Sequence, residues 1–232
     1  MPRVRQEMQH QETAEEIKTL ARAQMRENGT AGLSLRGIAR DLGVTAPAIY
    51  NYFPRLDDLI TALIVDAFNA QADAMQDAAQ AQPSGDHARQ MRAVMGAYRT
   101  WAVDNPTDFQ LIYGNPIPGY VAPAEITIPL ARRPFELMTE IAVAAQQAGK
   151  LRIDPAYDTP PTVQAHIAQW WPAQALPPDL PAALPYALLV GWTRAHGIIM
   201  LEVFHHLPPT VGDVAAFYAH EVDVTLALLG MG

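Results

Sequence analysis

Cysteine is absent from the 232 residues. That excludes a disulfide scaffold, a thiolate metal site and a cysteine nucleophile, and it suits a reducing cytoplasm. Charge is sparse: 17% of residues are Asp, Glu, Lys or Arg, against 50% hydrophobic. A chain of this length and apolarity can bury a sizeable core, which excludes wholesale disorder. Uncharged apolar runs of membrane length are missing as well. The most apolar stretch, residues 184–204, is interrupted by Arg194, His196 and Glu202, whereas a span needs about 20 nearly uncharged residues. The first 16 residues are polar and lack the apolar core of a signal peptide, so the expected location is the cytoplasm. No alternating β-branched run bounded by turns points to a strand. A glycine-rich phosphate loop, a nucleophile elbow and a paired metal-ligand motif are also lacking. Asp104, Asp108 and Glu136 have no spacing that implies a dyad. No catalytic residue, no cofactor and no enzyme activity are therefore expected.

What is present is unevenly distributed. The net charge is −8, yet residues 1–55 hold 8 Lys+Arg against 6 Asp+Glu, and residues 56–232 hold 8 against 18. A mildly basic front precedes an acidic body. Apolar residues recur at helical spacing: Ile17, Leu20 and Ala21; Leu35, Ile38, Ala39 and Leu42; Leu59, Ile60, Leu63, Ile64 and Ala67. Residues 83–86 (Pro-Ser-Gly-Asp) break the pattern, and a helix resumes through Met91, Met95, Tyr98 and Trp101. Two prolines and two glycines in residues 114–120 exclude a regular helix there. Residues 123–149 read as helix, and eight prolines between Asp154 and Pro185 imply short helices and loops. Two long helices are expected at about 181–206 and 211–229. The expected fold is all-α: an N-terminal three-helix domain over 1–55 and a larger helical domain over 56–232.

Residues 33–58, LSLRGIARDLGVTAPAIYNYFPRLDD, carry the most specific signal. Ser34 is a plausible N-cap for a helix over 35–42. Gly43 supplies the turn, Thr45 caps a second short helix, and Pro47 sits in its first turn, where a missing N–H costs little. Ile49, Tyr52 and Phe53 are expected to face inward, leaving Thr45, Pro47, Ala48, Tyr50 and Asn51 outward. Two short helices joined by a glycine turn form a helix-turn-helix, whose second helix fits the DNA major groove. Short polar and apolar groups can read base edges there, while Ser34, Arg36, Arg40, Arg55 and the arm residues Arg3 and Arg5 are placed to meet phosphate. The plainer reading, a helical hairpin inside a core, leaves a displayed Thr, Tyr and Asn beside arginines unexplained.

On these residues the segment 13–60 resembles the DNA-binding domain of the TetR/AcrR family of transcription regulators. The resemblance implies phosphate contacts for Tyr50 and Tyr52, and base readers just before Tyr50: Thr45, Ala46, Pro47 and Ala48. The family often has Lys where this chain has Leu56, and Arg55 is the nearest substitute. Farther on, GWTRAHG at 191–197 and YGNPIPGY at 113–120 resemble the C-terminal class of that family named for Trp-His-Gly. The family is helical and homodimeric, and its members are typically repressors that leave near-palindromic operator DNA when a small effector binds.

The second half supplies the remaining expectations. The last helix is apolar on more than one side, with Phe217, Val224 and Leu228 away from the stripe of Val214, Tyr218, Val222 and Leu226. Such a helix needs cover on both sides, which suggests a two-fold dimer through the last two helices. Trp101, Phe109, Tyr113, Met138, Trp192 and His196 are candidate effector contacts among many aromatic and Met residues, Trp170 and Trp171 included, that are more often plain core. The rigid turn at 114–120 is a candidate wall or lid. Glu202, His205, His206 and His220 have helical spacing that a zinc ion can use, but a solvated helix end is the favoured reading and no metal is expected. Arg99, Arg132 and Arg133 are expected to be solvated or in salt bridges rather than on an acidic effector. Two other readings stay open: a helical small-molecule-binding protein or enzyme that leaves the DNA-facing surface unused, and a constitutive DNA binder with a filled core.

Overall fold

The computed structural model describes residues 2–170 and 180–232, and among them every regular element is a helix. In chain order the α-helices are α1 (Pro2–Asn28), α2 (Leu35–Leu42), α3 (Ala46–Tyr50), α4 (Leu56–Gln80), α5 (His87–Asp104) and α6 (Pro106–Tyr113). They are followed by α7 (Ala124–Gln147), α8 (Pro161–Trp170), α9 (Leu184–Val203), α10 (Pro208–Val211) and α11 (Val214–Leu228). The chain forms two compact units: Met1–Asn69 with Asn105–Leu130, and Ala70–Asp104 with Ala131–Gly232. Helices α4 and α7 each contribute to both.

In the first unit the apolar periodicity becomes a core. Ile17, Ala21 and Met25 of α1 lie one turn apart and are buried with Leu35, Ile38 and Ala39 of α2, Ile49 of α3 and Leu59, Ile60 and Leu63 of α4. Polar ties set the register of α1 on α2. The Gln24 amide donates to Asp41 at 2.8 Å and accepts from the Ser34 backbone N–H at 3.3 Å. Gly37 makes room for it, since a Cβ there would lie 2.8 Å from Gln24 Nε2. Ion pairs join α1 to α4 and α6. Arg22 Nε reaches both oxygens of Asp108 at 2.9 and 3.1 Å, and Lys18 Nζ lies 2.9 Å from Asp66. Burial opposes the Lys18 charge, but hydrogen bonds to Glu15 and Asp66 hold its pKa above the usual lysine value. The turn at 114–120 is non-helical as expected, with Gly119 at φ 81° and the Tyr120 hydroxyl 2.9 Å from Thr61 Oγ1.

In the second unit α5, α9 and α11 pack on one another, and α8 packs on α9. Gly191 of α9 permits the closest approach: a Cβ there would sit 2.8 Å from Thr225 Cγ2 of α11. Buried and part-buried polar groups tie the same helices. Arg99 of α5 forms a forked pair with Glu202 of α9, at 2.8 Å from Nε and 2.5 Å from Nη2. The guanidinium lies 5.9 Å from the centre of the Tyr218 ring, and the Tyr218 hydroxyl donates to the Met95 carbonyl at 2.7 Å. Burial pushes the Tyr218 phenol pKa well up, so it stays a donor.

Element ends correct three expectations. The last helix starts at Val214, because Asp213 accepts from Ala216 N–H as its N-cap, and Val211 belongs to the separate one-turn α10. Likewise α9 starts at Leu184 rather than about 181. The segment read as an arm around Arg3 and Arg5 is the opening of α1; the side chains of both arginines, and Trp170 (side chain) and Trp171, lie outside the described residues.

Candidate functional site

The helix-turn-helix is built by local chemistry. Ser34 caps α2 by accepting from Gly37 N–H at 3.4 Å. Gly43 ends it with φ 73°, the left-handed conformation glycine adopts without strain. Thr45 occupies the N-cap position of α3, but its side chain makes no capping bond, so the Thr45 hydroxyl is left at the surface. Pro47 sits in the first turn. Only five residues long, α3 is held by Ile49, which is 1% exposed, with Phe53 buried just beyond it. Thr45, Pro47, Tyr50 and Asn51 are exposed, while Ala46 and Ala48 are half-buried. Asn51 stands at the C-cap of α3.

Two neighbours depart from the expected pattern. Tyr52 is half-buried rather than inward, its ring stacked on His10 of α1 with centroids 4.4 Å apart. His10 was not a candidate, because no local spacing links it to a residue 42 positions away. Arg55 donates to Asp58 from Nη2 at 2.7 Å and from its backbone N–H at 3.0 Å. That bond holds the Asp58 carboxyl below its usual pKa. Arg55 thus secures the start of α4, and the charge it offers to a phosphate is partly neutralised. Arg36 is exposed and, among the described residues, meets no carboxylate; Arg40 lies 3.6 Å from Asp41.

These observations place a short, partly exposed helix on a firm three-helix base, its surface and caps bearing a hydroxyl, a phenol and an amide, with the exposed Arg36 guanidinium nearby. Comparison with known sequences agrees with that construction. Residues 17–63 match the family profile described as bacterial regulatory proteins, tetR family, and residues 91–225 match a tetracyclin repressor-like C-terminal domain. The chain belongs to the TetR family. It is 34% identical over 188 residues to the HTH-type transcriptional regulators Rv1816 of Mycobacterium tuberculosis and Mb1846 of Mycobacterium bovis, covering 81% of this chain and 79% of each relative. Among solved structures, the regulatory protein SCO4313 superposes with a TM-score of 0.78 at 30% identity, over 95% of this chain and 98% of that one. The TetR-family regulator PfmR of Thermus thermophilus shares the fold at 17% identity and TM-score 0.60, over 91% and 97% of the two chains. The protein is a DNA-binding transcriptional regulator, and members of this TetR family bind DNA as dimers and are not enzymes. No helix among the described residues is long and apolar enough to cross a membrane.

The candidate effector contacts divide between the units of this TetR protein. Phe109 and Tyr113 belong to the first, packed together at 5.3 Å with Phe68 against Tyr113 at 6.1 Å. Trp101, Met138, Trp192 and His196 belong to the second. There a small cavity of about 20 Å³, room for about one water, lies among α5, α7, α9 and α11. Met138 and Trp192 line it; Trp101, Phe109, Tyr113 and His196 do not. Met91 and Met95 of α5 and Val222, Thr225 and Leu226 of α11 complete most of the wall. Of these, Met91, Met95, Val222 and Leu226 read as core in the sequence, since nothing in a helical repeat separates a packed face from one bordering space. His196 stands behind Trp192, stacked on it at 4.6 Å, and its Nδ1 is 2.6 Å from the Tyr98 hydroxyl. Burial lowers the His196 pKa. Among the described residues no cluster of metal-ligating side chains occurs. His205 and His206 are exposed at the end of α9, and Glu202 is engaged by Arg99. Arg99 and Arg133 sit in ion pairs, the latter with Asp73 at 2.6 Å.

Proposed function

We propose that this regulator is a cytoplasmic repressor that reads a near-palindromic operator as a homodimer and is released by a small effector. In this reading residues 1–55 bind DNA and residues 56–232 bind the effector and dimerise. The observation that carries it is the exposed α3 surface anchored by Ile49 alone: a sink or an enzyme has no use for displayed Thr45, Tyr50 and Asn51. Thr45, Ala46, Pro47, Ala48 and Asn51 read base edges in the major groove. Ser34, Arg36, Tyr50, Tyr52 and, more weakly, Arg55 meet phosphate, which positions the helix without carrying sequence information. His10 acts as the backing that fixes the Tyr52 ring.

The dimer forms through α9 and α11. Thr193, Gly197 and Leu201 lie four residues apart on an exposed face of α9, with Leu201 45% exposed, and Phe217, Val224 and Leu228 of α11 are only half-buried within one chain. A two-fold axis there sets two α3 helices one DNA turn, or a multiple of it, apart. The effector binds among the helices of the larger domain, beside Met138 and Trp192 where the small cavity must widen to admit it, and favours a dimer geometry whose reading heads no longer match the operator. Linkage then requires operator DNA to weaken effector binding by the same factor.

Selection of bound duplexes from a random-sequence pool, re-measured at two salt concentrations, tests the DNA reading. The expected result is a two-fold symmetric site with a steep salt dependence. An asymmetric site, or no enrichment at low salt, overturns it.

A further inference from the structure

Resting on the reading of α3 as the base-reading helix, we infer that the base pairs facing it are A·T, recognised chiefly through the 5-methyl groups of thymine, with Val44 in the preceding turn as a further specificity residue. The observation behind this is a reading surface without charge. From Val44 to Tyr52 the chain has no Lys, Arg, His, Asp or Glu. What that stretch exposes is largely apolar: Val44 is 40% exposed and Pro47 is exposed, with Ala46 and Ala48 half-buried beside it. Thr45 and Asn51 add one hydroxyl and one amide. Val44 stands between Gly43, the left-handed stop of α2, and the Thr45 N-cap of α3. It is thus one residue from the start of the reading helix.

Each base pair offers different partners in the major groove. Guanine presents O6 and N7, met most often by the paired donors of Arg or Lys, and cytosine presents an amino group that Asp or Glu accepts. This stretch has neither kind of side chain. Apolar groups have one methyl counterpart on the floor of that groove, the thymine 5-methyl. Set against a guanine edge, Val44 and Pro47 would strip water from its acceptors and return no hydrogen bond, which is costly. Set against thymine, both surfaces are apolar and their burial is favourable. Short side chains also let α3 come close to the bases, as a contact of such short range requires. The two polar side chains agree: an Asn amide matches N6 and N7 of adenine, and a Thr hydroxyl accepts either base. Of the nearest cations, Arg55 is bonded to Asp58 at 2.7 Å and Arg40 lies 3.6 Å from Asp41. Arg36, exposed in the first turn of α2, is left for phosphate.

The test starts from the duplex that the full-length protein selects out of a random pool. Thymines of each half-site are replaced one at a time by uracil, which lacks only the 5-methyl. At two or more positions per half-site affinity should fall about three- to fivefold, roughly the worth of burying one methyl group. At those positions a C·G pair should bind worse, and 5-methylcytosine in place of cytosine should recover a similar factor. Val44→Ala and Pro47→Ala, both at exposed positions, should retain helix content, and each should abolish the uracil penalty at one position while leaving the others. Uracil tolerated at every position overturns the methyl reading. Penalties undiminished in both variants overturn its assignment to this surface. G·C pairs at the positions whose preference the two variants alter overturn the base class and leave α3 standing as the reading helix. Preferences that respond to neither variant nor to Asn51→Ala, or no selected site at all, overturn base reading by α3 and this inference with it.

Discussion

In the first unit the side chains offered to a partner stand in solvent and only their anchors are buried, whereas in the second the side chains that define the site are themselves the packing. Helix α3 shows the first arrangement. Ile49 is enclosed, and Thr45, Pro47, Tyr50 and Asn51 are left outside. Helix α9 shows the second: Trp192 borders the cavity, Gly191 lets α11 approach, and His196 ties back to α5 through Tyr98. Contact and stability are thus separable in the reading head and merged in the cavity. Substitutions there should change one property at a time; substitutions around the cavity should change two.

The largest separation is expected within α3. Ile49→Ala removes the sole fully buried side chain of that helix and should cost about 2–5 kcal/mol, the range for truncating a core aliphatic. Tyr50→Ala, one residue on and exposed, should leave stability within about 0.5 kcal/mol while weakening operator binding. Urea melts paired with operator titrations check both. Equal losses of stability would break the comparison.

The second unit offers the opposite case. Arg99 and Glu202 form a pair only about a fifth or less exposed, with side-chain exposures of 20% and 13%. Glu202→Leu strands the guanidinium and should cost toward the lower end of about 3–5 kcal/mol. Replacing both, Arg99→Met with Glu202→Leu, should recover most of that loss, since an apolar pair of similar volume needs no desolvation. A double variant as unstable as the single one would mean that the contact of Arg99 with Tyr218 of α11, rather than charge pairing with Glu202, is what holds α5 in place.

On the DNA side, Asn51→Ala should alter preference at one base pair by about 1–3 kcal/mol if its amide contacts a base edge. Arg36→Ala should weaken all sequences alike and reduce the salt slope by about 1. An unchanged operator profile for Asn51→Ala would remove it from the readers. Acid sharpens the contrast from the other side. Above about pH 6.5, the ordinary histidine value, folded and unfolded chains both hold His196 neutral. As pH falls below it, the unfolded chain takes up a proton that the buried ring resists, so stability drops until the folded pKa is passed. His196→Gln should flatten that part of the pH–stability curve. An unchanged curve would assign the acid sensitivity to other groups.

How much of this was legible in the sequence follows the same division. The helix-turn-helix is a run of local signals, with Ser34 as cap, Gly43 as left-handed stop, Pro47 in a first turn and Ile49 as anchor, and each acts within a few residues of its position. The contacts that escaped are long-range. His10 with Tyr52, Arg22 with Asp108 and Tyr98 with His196 join residues 42, 86 and 98 positions apart, and no period in the sequence announces them. The cavity wall was hidden for another reason: Met91 and Met95 share a helix face with true core residues, and only the neighbours' shapes decide where space is left.

The GWTRAHG segment holds the finest test, because its two glycines sit in one helix and meet opposite surroundings. At Gly191 a methyl would collide with the Thr225 side chain of α11, so Gly191→Ala must displace Thr225 or its helix and should destabilise the protein and disturb the cavity together. At Gly197 a methyl meets nothing within 4 Å. There Ala should stabilise the helix by about 0.5–1 kcal/mol, since glycine gives up more backbone freedom on folding. Yet that open space lies on the α9 face proposed to receive a second copy, where a close approach tolerates no added carbon. Gly197→Ala should therefore raise the melting temperature of the dilute protomer and weaken self-association in sedimentation equilibrium. A variant that is more stable and dimerises as before would move the two-fold contact off this face of α9 and leave α11 to supply it.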